Sequence, residues 1–291
     1  MKTLITGGAG FIGSHLAEAL LAQGSEVTVL DDLSSGRLDN LATVASHPKL
    51  EIALGDVRDA ARVDALAESA DIIYHLAAWN RPRCEDNLPE AIQVHVAGVA
   101  SVLAAAARHS IRMVHVSCSE VYGKGKQQPL REDGECRLGP THEPAWAFAS
   151  MKLMAEALCT LSAEKGLPVT ILRLFDVYGP RDRSGLTSQL LQLKMNAHPH
   201  AHADGILARS LMYISDAVDA LVLAGQAAVP AGEVINIGWD RPACQACVRP
   251  DASNLWVADR TKARRLLSFE PKVTLEEGLH LTQLHRRHAQ Q

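Results

Sequence analysis

Three things are missing from this chain, and each absence closes a class of function. There is no basic surplus: 29 Lys and Arg stand against 33 Asp and Glu, a formal net charge of −4, whereas general nucleic-acid binders carry an excess of cations. Long apolar runs are missing too. No segment is expected to reach the length of a membrane span, and the chain opens directly on a strand-like run, which leaves no room for a signal peptide; a cytoplasmic location is the expectation. Dense cysteine is the third absence. Cys84, Cys118, Cys136, Cys159, Cys244 and Cys247 are spread over 291 residues, which fits reduced thiols rather than a disulfide framework. Cys244-x-x-Cys247 is half of a zinc site with no second close pair, and the alternating His198, His200 and His202 have no carboxylate or cysteine beside them. No metal site is therefore expected.

What is there begins at the N-terminus. Thr6-Gly7-Gly8-Ala9-Gly10-Phe11-Ile12-Gly13-Ser14-His15 follows the apolar run of residues 2–5 and leads into a helical pattern over 16–23. Glycines at 7, 10 and 13 thus span a strand-to-helix turn. Gly7 permits the tight turn, Gly10 lets the backbone approach a pyrophosphate, and Gly13 lets helix and strand pack closely. The helix N-terminus offers free N–H groups to the anion. A second strand over 26–30 ends in Asp31-Asp32, Asp31 lying 18 residues after Gly13, where an acid can hold a ribose 2′-hydroxyl. Such an acid repels a 2′-phosphate, so the expected cofactor is NAD rather than NADP.

At 47% hydrophobic and 21% charged, 291 residues suffice for one large α/β unit or a nucleotide domain with a smaller lobe. Strand and helix signals alternate through the first 175 residues, the pattern of a parallel sheet covered on both faces. After a loop and helix over 34–45, strands are expected over 51–54, 71–76, 112–117 and 169–174, with helices over 89–108 and 143–165. Asp56 can accept from an adenine amino group with Val57 against the ring, and Ala77-Ala78 are small enough for a cofactor to lie close. Ligands collect beyond the carboxyl ends of such strands, where Gly10, Asp31, Asp56, Ala77, Cys118 and Asp176 converge. Beyond Asp176 the alternation weakens: a turn over 177–181, a helix over 185–196, strands over 206–213 and 233–237 around a helix over 215–227, and closing helices over 259–267 and 275–287.

With these stretches in place, the chain resembles the extended short-chain dehydrogenase/reductases, in the NAD-dependent sugar-nucleotide epimerase/dehydratase family. The resemblance rests on Thr6 to His15, Asp31-Asp32-Leu33-Ser34-Ser35-Gly36-Arg37, Gly55-Asp56-Val57-Arg58-Asp59, His75-Leu76-Ala77-Ala78, Glu120-Val121-Tyr122-Gly123, Val177-Tyr178-Gly179-Pro180-Arg181 and Asp204-Gly205 through Arg209 to Asp216. It implies a Rossmann-type doubly wound parallel sheet over 1–175, joined by 206–238, and a substrate lobe from 176–205 and 239–291. That lobe is small, because the stretch 236–257 is shorter than the family's course and lacks a helix. NAD would be held by Gly7, Gly10, Phe11, Ile12, Gly13, Asp31, Asp32, Ser35, Gly36, Asp56, Val57, Leu76, Ala77, Ala78 and Lys152. A nucleotide sugar would meet Asp176, Arg181 and Arg209, the two arginines as phosphate clamps. A homodimer through the helices over 89–108 and 143–165 is also implied.

Members of this family oxidise a sugar hydroxyl, usually at C4, to a ketone that eases epimerisation, elimination or decarboxylation, and then return the hydride. The resemblance implies a Tyr four residues before Lys152, and Phe148 stands there; it implies a Ser or Thr at the strand end, and Cys118 stands there, a poor hydrogen-bond donor. Ser119-Glu120 resembles the dehydratase and decarboxylase branch, in which the acid acts on the carbon next to the ketone. Cys118, Tyr122, His142 and Glu143 are further candidate acids or bases. His95 and Asp176 replace the family's usual Asn. Three readings follow: an active sugar-nucleotide enzyme with an atypical catalytic set; an NAD-binding homologue without turnover, acting as sensor or partner; and a reductase of a non-sugar carbonyl compound.

Overall fold

The computed structural model describes residues 1–125, 127–195, 205–249 and 255–288. The chain runs β1 (Lys2–Thr6), α1 (Phe11–Ala22), β2 (Glu26–Asp31), β3 (Leu50–Leu54), α2 (Ala60–Ala67), β4 (Ile72–His75), α3 (Arg81–Asp86), α4 (Leu88–Ile92) and α5 (Gly98–His109). It continues through β5 (Arg112–Cys118), α6 (Ala145–Glu164), β6 (Val169–Leu174), β7 (Asp176–Tyr178), α7 (Leu186–Met195), β8 (Leu211–Tyr213), α8 (Ile214–Gln226), β9 (Val234–Ile237), α9 (Thr261–Leu267) and α10 (Leu275–His288). Seven parallel strands form the main sheet in the order β3-β2-β1-β4-β5-β6-β9, and β7 and β8 make a separate parallel pair. This is a Rossmann-type doubly wound sheet.

Strand alternation assigns the two faces. Leu4, Ile73 and Met113 point to one side, where α2, α5 and α6 cover them. Their neighbours Ile5, Tyr74 and Val114 point to the other, under α1 and α8. Because both faces are buried, the central strands read as continuous apolar runs rather than an alternating pattern. Each fully buried Leu or Ile contributes roughly 1.5–3 kcal/mol over an exposed one.

Several expectations are corrected. The first helix starts at Phe11, five residues before the expected 16, because Gly10 caps it and the glycine turn itself enters the helix. The stretch 34–45 holds a 3-10 turn, Leu38–Val44. The expected strand over 206–213 splits into a 3-10 turn at Ile206–Ala208 and the short β8, since the Arg209 N–H closes back on the Ile206 carbonyl at 3.1 Å. Residues 176–178, partly read as a turn, form β7. The expectation that no segment reaches membrane-span length also fails by length and composition: α4, a π turn at Gln93–Ala97 and α5 make one 22-residue helix that is long and apolar enough to cross a membrane. Half of its most apolar stretch is buried inside the fold, as in a core helix. The helix α3 was not expected, although Asn80 accepts the Arg83 N–H at 3.2 Å as its cap and a proline sits in its first turn.

Candidate functional site

The strands deliver their carboxyl ends to a cleft of about 760 Å³. Its floor is the turn between β1 and α1. Gly7 has a φ of +73° and a side chain there would stand 2.7 Å from the Ala77 nitrogen; at Gly13 a Cβ would lie 2.3 Å from the Gly7 carbonyl oxygen. Any larger residue would push the turn off either β4 or its own helix. No side chain caps α1 and no acid occupies its first turn, so its N–H groups stay open to an anion.

Asp31 ends β2 almost buried, with one carboxylate oxygen accepting the Ala9 N–H and the other the Leu33 N–H, both at 2.9 Å. Burial pushes its pKa up, and these two hydrogen bonds oppose the shift. Each oxygen accepts a single backbone hydrogen bond and so keeps acceptor capacity, and Asp31 lines the cleft. Asp32 accepts the Ser34 N–H at 2.9 Å, and Asp56 accepts the Arg58 side chain at 2.9 Å, which holds its carboxyl below the usual range. The cleft brings together Gly7, Gly10 to Gly13, Asp31 to Gly36, Asp56-Val57 and Leu76 to Ala78. Lys152 is outside its lining: the ammonium reaches up from α6 to donate to the Val116 carbonyl at 3.2 Å, and Val116 is in the cleft wall. Arg181, expected with the substrate residues, lines the cofactor cleft instead, where it donates to Ser14 Oγ at 3.1 Å and pairs with Glu18 at 2.5 Å.

Trp79, Asn80 and Arg83 also line the cleft, among residues not expected there. The Arg83 guanidinium sits 3.8 Å above the Trp79 ring and donates to the Ser34 carbonyl at 2.6 Å and Ser35 Oγ at 3.3 Å, bridging α3 to the loop after β2. The cap-and-proline signal of α3 was the only trace of them in the sequence.

At the end of β5, the Cys118 thiol donates to a Glu120 oxygen at 3.7 Å, and the other Glu120 oxygen lies 3.7 Å from Arg81. Burial, then the Glu120 charge, pushes the Cys118 thiol up to about 12, so it stays protonated. Phe148 is buried among Trp79, Cys84, Ala91, Val94 and Met151, with its ring edge-on to His95 at 5.5 Å. His95 meets the Trp79 N–H at 3.1 Å and is pushed down to about 3, by burial first and then by Lys152. Ser119 is buried. Asp176 on β7 pairs with Arg209 at 2.9 Å; burial raises its pKa to about 6, against Arg209 and with the help of the Glu120 charge. Glu120, Asp176 and Arg209 are therefore one electrostatic group. Tyr122 is turned away, donating to Asn236 at 2.7 Å in the core. The Glu143 carboxylate accepts the Trp146 indole N–H at 2.7 Å, and His142 is exposed.

Among the described residues no three His, Cys, Asp or Glu side chains gather as metal ligands. His198, His200 and His202 lie outside the described residues.

The chain is similar to known proteins. A model of the NAD dependent epimerase/dehydratase family matches residues 3–238. A UDP-N-acetyl-alpha-D-glucosaminuronate decarboxylase of Bacillus cytotoxicus is 32% identical, over 96% of this chain and 95% of its own length. The structure of a Thermotoga maritima UDP-glucose 4-epimerase with UDP-glucose superposes with a TM-score of 0.84 at 27% identity, covering the whole of both chains. A Tyr-to-Phe variant of a Bacillus cereus UDP-glucuronic acid 4-epimerase, in complex with UDP-4-deoxy-4-fluoro-glucuronic acid and NAD, superposes with a TM-score of 0.82 at 26% identity over 99% of this chain and all of its own.

Proposed function

The chain belongs to the NAD-dependent epimerase/dehydratase family, and from that membership we propose that it acts on a UDP-hexuronic acid, oxidising C4 and then releasing the carboxylate as carbon dioxide. NAD is its cofactor and nucleotide-sugar modification its reaction class. The observation that carries the narrower reading is Glu120: it lies in the turn that follows β5, between the Cys118 thiol and Arg81, and within electrostatic reach of the Asp176–Arg209 pair. Relatives named as uronic acid decarboxylases support the same choice.

The residues present fit NAD, because the turn at Gly7 and Gly13 leaves no room for side chains and Asp31 keeps acceptor capacity. When bound, the cofactor supplies reversible hydride transfer. Asp31 would hold the ribose hydroxyls and the α1 N-terminus the pyrophosphate. Lys152 would lower the cost of negative charge on the reacting sugar oxygen, Glu120 would move the proton at the adjacent carbon, and Arg209 would hold the substrate phosphates. Phe148 has no proton to exchange and Cys118 stays a thiol, so the oxidation step lacks its base. Losing such a group costs about 10²–10⁴-fold in rate.

A second reading, binding of NAD and nucleotide sugar without turnover, is favoured by Phe148 itself, seated in an apolar cluster. One experiment separates the two. UDP-glucuronic acid is incubated with the NAD-loaded protein and with Phe148→Tyr, and products are followed by mass spectrometry and NMR. The enzyme reading expects slow pentose formation by the natural chain and at least a 100-fold gain in Phe148→Tyr; no product from either, with NAD still bound, leaves the binding reading. A homodimer also belongs to the proposal, since α4 and α6 expose Leu88, Ile92, Met154 and Leu161. The thiols of Cys84, Cys118, Cys136 and Cys159 suit a cytoplasmic setting.

A further inference from the structure

The Cys244-x-x-Cys247 motif has no part in that reading. Cys244 enters a 3-10 turn, Gln245–Cys247, and the Cys247 N–H donates to the Cys244 carbonyl at 3.2 Å. A hydrogen-bonded turn of this kind holds its first and fourth Cα atoms within about 7 Å, and a disulfide spans roughly 4.4–6.8 Å between Cα atoms. The side chains already meet, because the Cys247 thiol hydrogen-bonds Cys244; burial, ahead of that bond, pushes the Cys247 thiol up to about 11, which makes it the second of the two to attack. Both residues are only half-buried, within reach of a small thiol reagent. The entry to the turn is stitched to the segment carrying Arg209: the Ala243 N–H donates to the Arg209 carbonyl at 3.0 Å and the Cys244 N–H to the Leu207 carbonyl at 2.7 Å. Arg209 itself faces Asp176 at 2.9 Å and stands 5.6 Å from the centre of the Trp256 ring.

We propose that Cys244 and Cys247 are a reversible dithiol–disulfide pair whose state sets how rigidly Arg209 is presented, with a small disulfide such as oxidised glutathione as co-reactant. One cysteine thiolate attacks a glutathione sulfur and expels one glutathione thiolate, leaving a mixed disulfide. The second cysteine gives up its proton, attacks the protein-side sulfur and expels the other glutathione. Two protein thiols thereby lose two electrons and two protons, and one oxidised glutathione becomes two reduced ones. Disulfides of intracellular proteins are commonly transient and redox-sensing, and a pair closing a four-residue turn can form without moving the backbone far. The pair stands on its own geometry; its effect on Arg209 rests on the reading that Arg209 holds substrate.

The test uses the full chain loaded with NAD, equilibrated in buffers of reduced and oxidised glutathione, acid-quenched, alkylated and weighed intact. The expected oxidised species has lost two alkylation sites, mapped to Cys244 and Cys247, with no stable mixed disulfide; Cys244→Ser and Cys247→Ser each abolish it. Persistent alkylation at both positions, a stable adduct on one, or retention of one added zinc ion per chain by the pair would overturn the proposal. UDP affinity, measured by calorimetry on both forms, is expected to differ at least threefold, with no shift in Cys244→Ser. Oxidation with unchanged affinity removes the control over Arg209. UDP binding to neither form removes the reading of Arg209 instead, while the masses still decide the pair.

Discussion

His115 is a fully buried histidine whose two ring nitrogens have no hydrogen-bond partner. It lies beside His75 on the neighbouring strand, the rings stacked at 5.5 Å, and His75 reaches Thr6 Oγ1 at 2.7 Å. Burial is the main force holding both neutral: His75 is pushed down to about 3, and His115 well below its ordinary value, with His75 and Lys152 adding to the effect. The stability this provides is fully present above the unfolded pKa of about 6.5 and is lost as pH falls through the depressed folded values. Each such histidine steepens acid unfolding by up to about 1.4 kcal/mol per pH unit. His115→Phe is expected to flatten urea-derived stability between pH 7 and pH 5, and to leave it equal or higher by about 1–3 kcal/mol at pH 7.5, since an unsatisfied polar ring is removed. A large loss at pH 7.5 would show that the ring has a partner in solution. In sequence, His115 is one letter in an apolar run. Nothing local reveals that its side chain meets His75, because that contact is made by strand pairing.

Among the elements, the six-residue α3 bears directly on the cofactor cleft. Its Arg83 bridges α3 to Ser34 and Ser35 in the cleft wall and stands over the Trp79 ring, so it ties the helix to the loop after β2 with a charge-assisted hydrogen bond. Arg83→Ala is expected to weaken NAD binding about tenfold, read by calorimetry on the cofactor-stripped protein, while Arg83→Lys restores part of it. Unchanged affinity would mean that the bridge opens when NAD binds. The tie between α6 and the sheet is of another kind: Glu156 pairs with Arg173 at 2.7 Å, both nearly buried, and accepts Ser117 Oγ at 2.5 Å. Breaking such a pair strands a buried charge at a cost of about 3–5 kcal/mol. Glu156→Gln should therefore lower the urea midpoint markedly at constant slope. Helices and strands of this length were legible from periodicity, and the glycine turn with Asp31 was legible residue by residue. The partners of Arg181 were not, because Ser14 and Glu18 lie more than 160 residues away in the chain.

For the molecule as a whole, the exposed apolar residues are unevenly placed: Met154 and Leu161 on α6 are each about half exposed, and Leu88 and Ile92 project from α4. Such a surface is at home under a second copy. Met154→Arg combined with Leu161→Arg is expected to convert a dimer to a monomer in analytical ultracentrifugation without lowering NAD content. A natural chain that sediments as a monomer would remove the homodimer from the proposal. The long helix Leu88–His109 shows the same dependence on context, being apolar enough to span a membrane yet half covered by the fold.

What the sequence by itself determined is the doubly wound sheet, the cofactor and the family. These depend on short-range features: glycine conformations, strand and helix periods, and an acid at a fixed distance from the turn. Tertiary structure alone decided which charges neutralise one another. Asp176 against Arg209 and Glu120 against Arg81 join segments remote in the chain, and so does the hydrogen bond from Arg83 to the Ser34 carbonyl. It also decided that Phe148 packs as a core residue beside His95. Pair energies of this sort depend on distance and burial, and a one-dimensional string of residues carries neither.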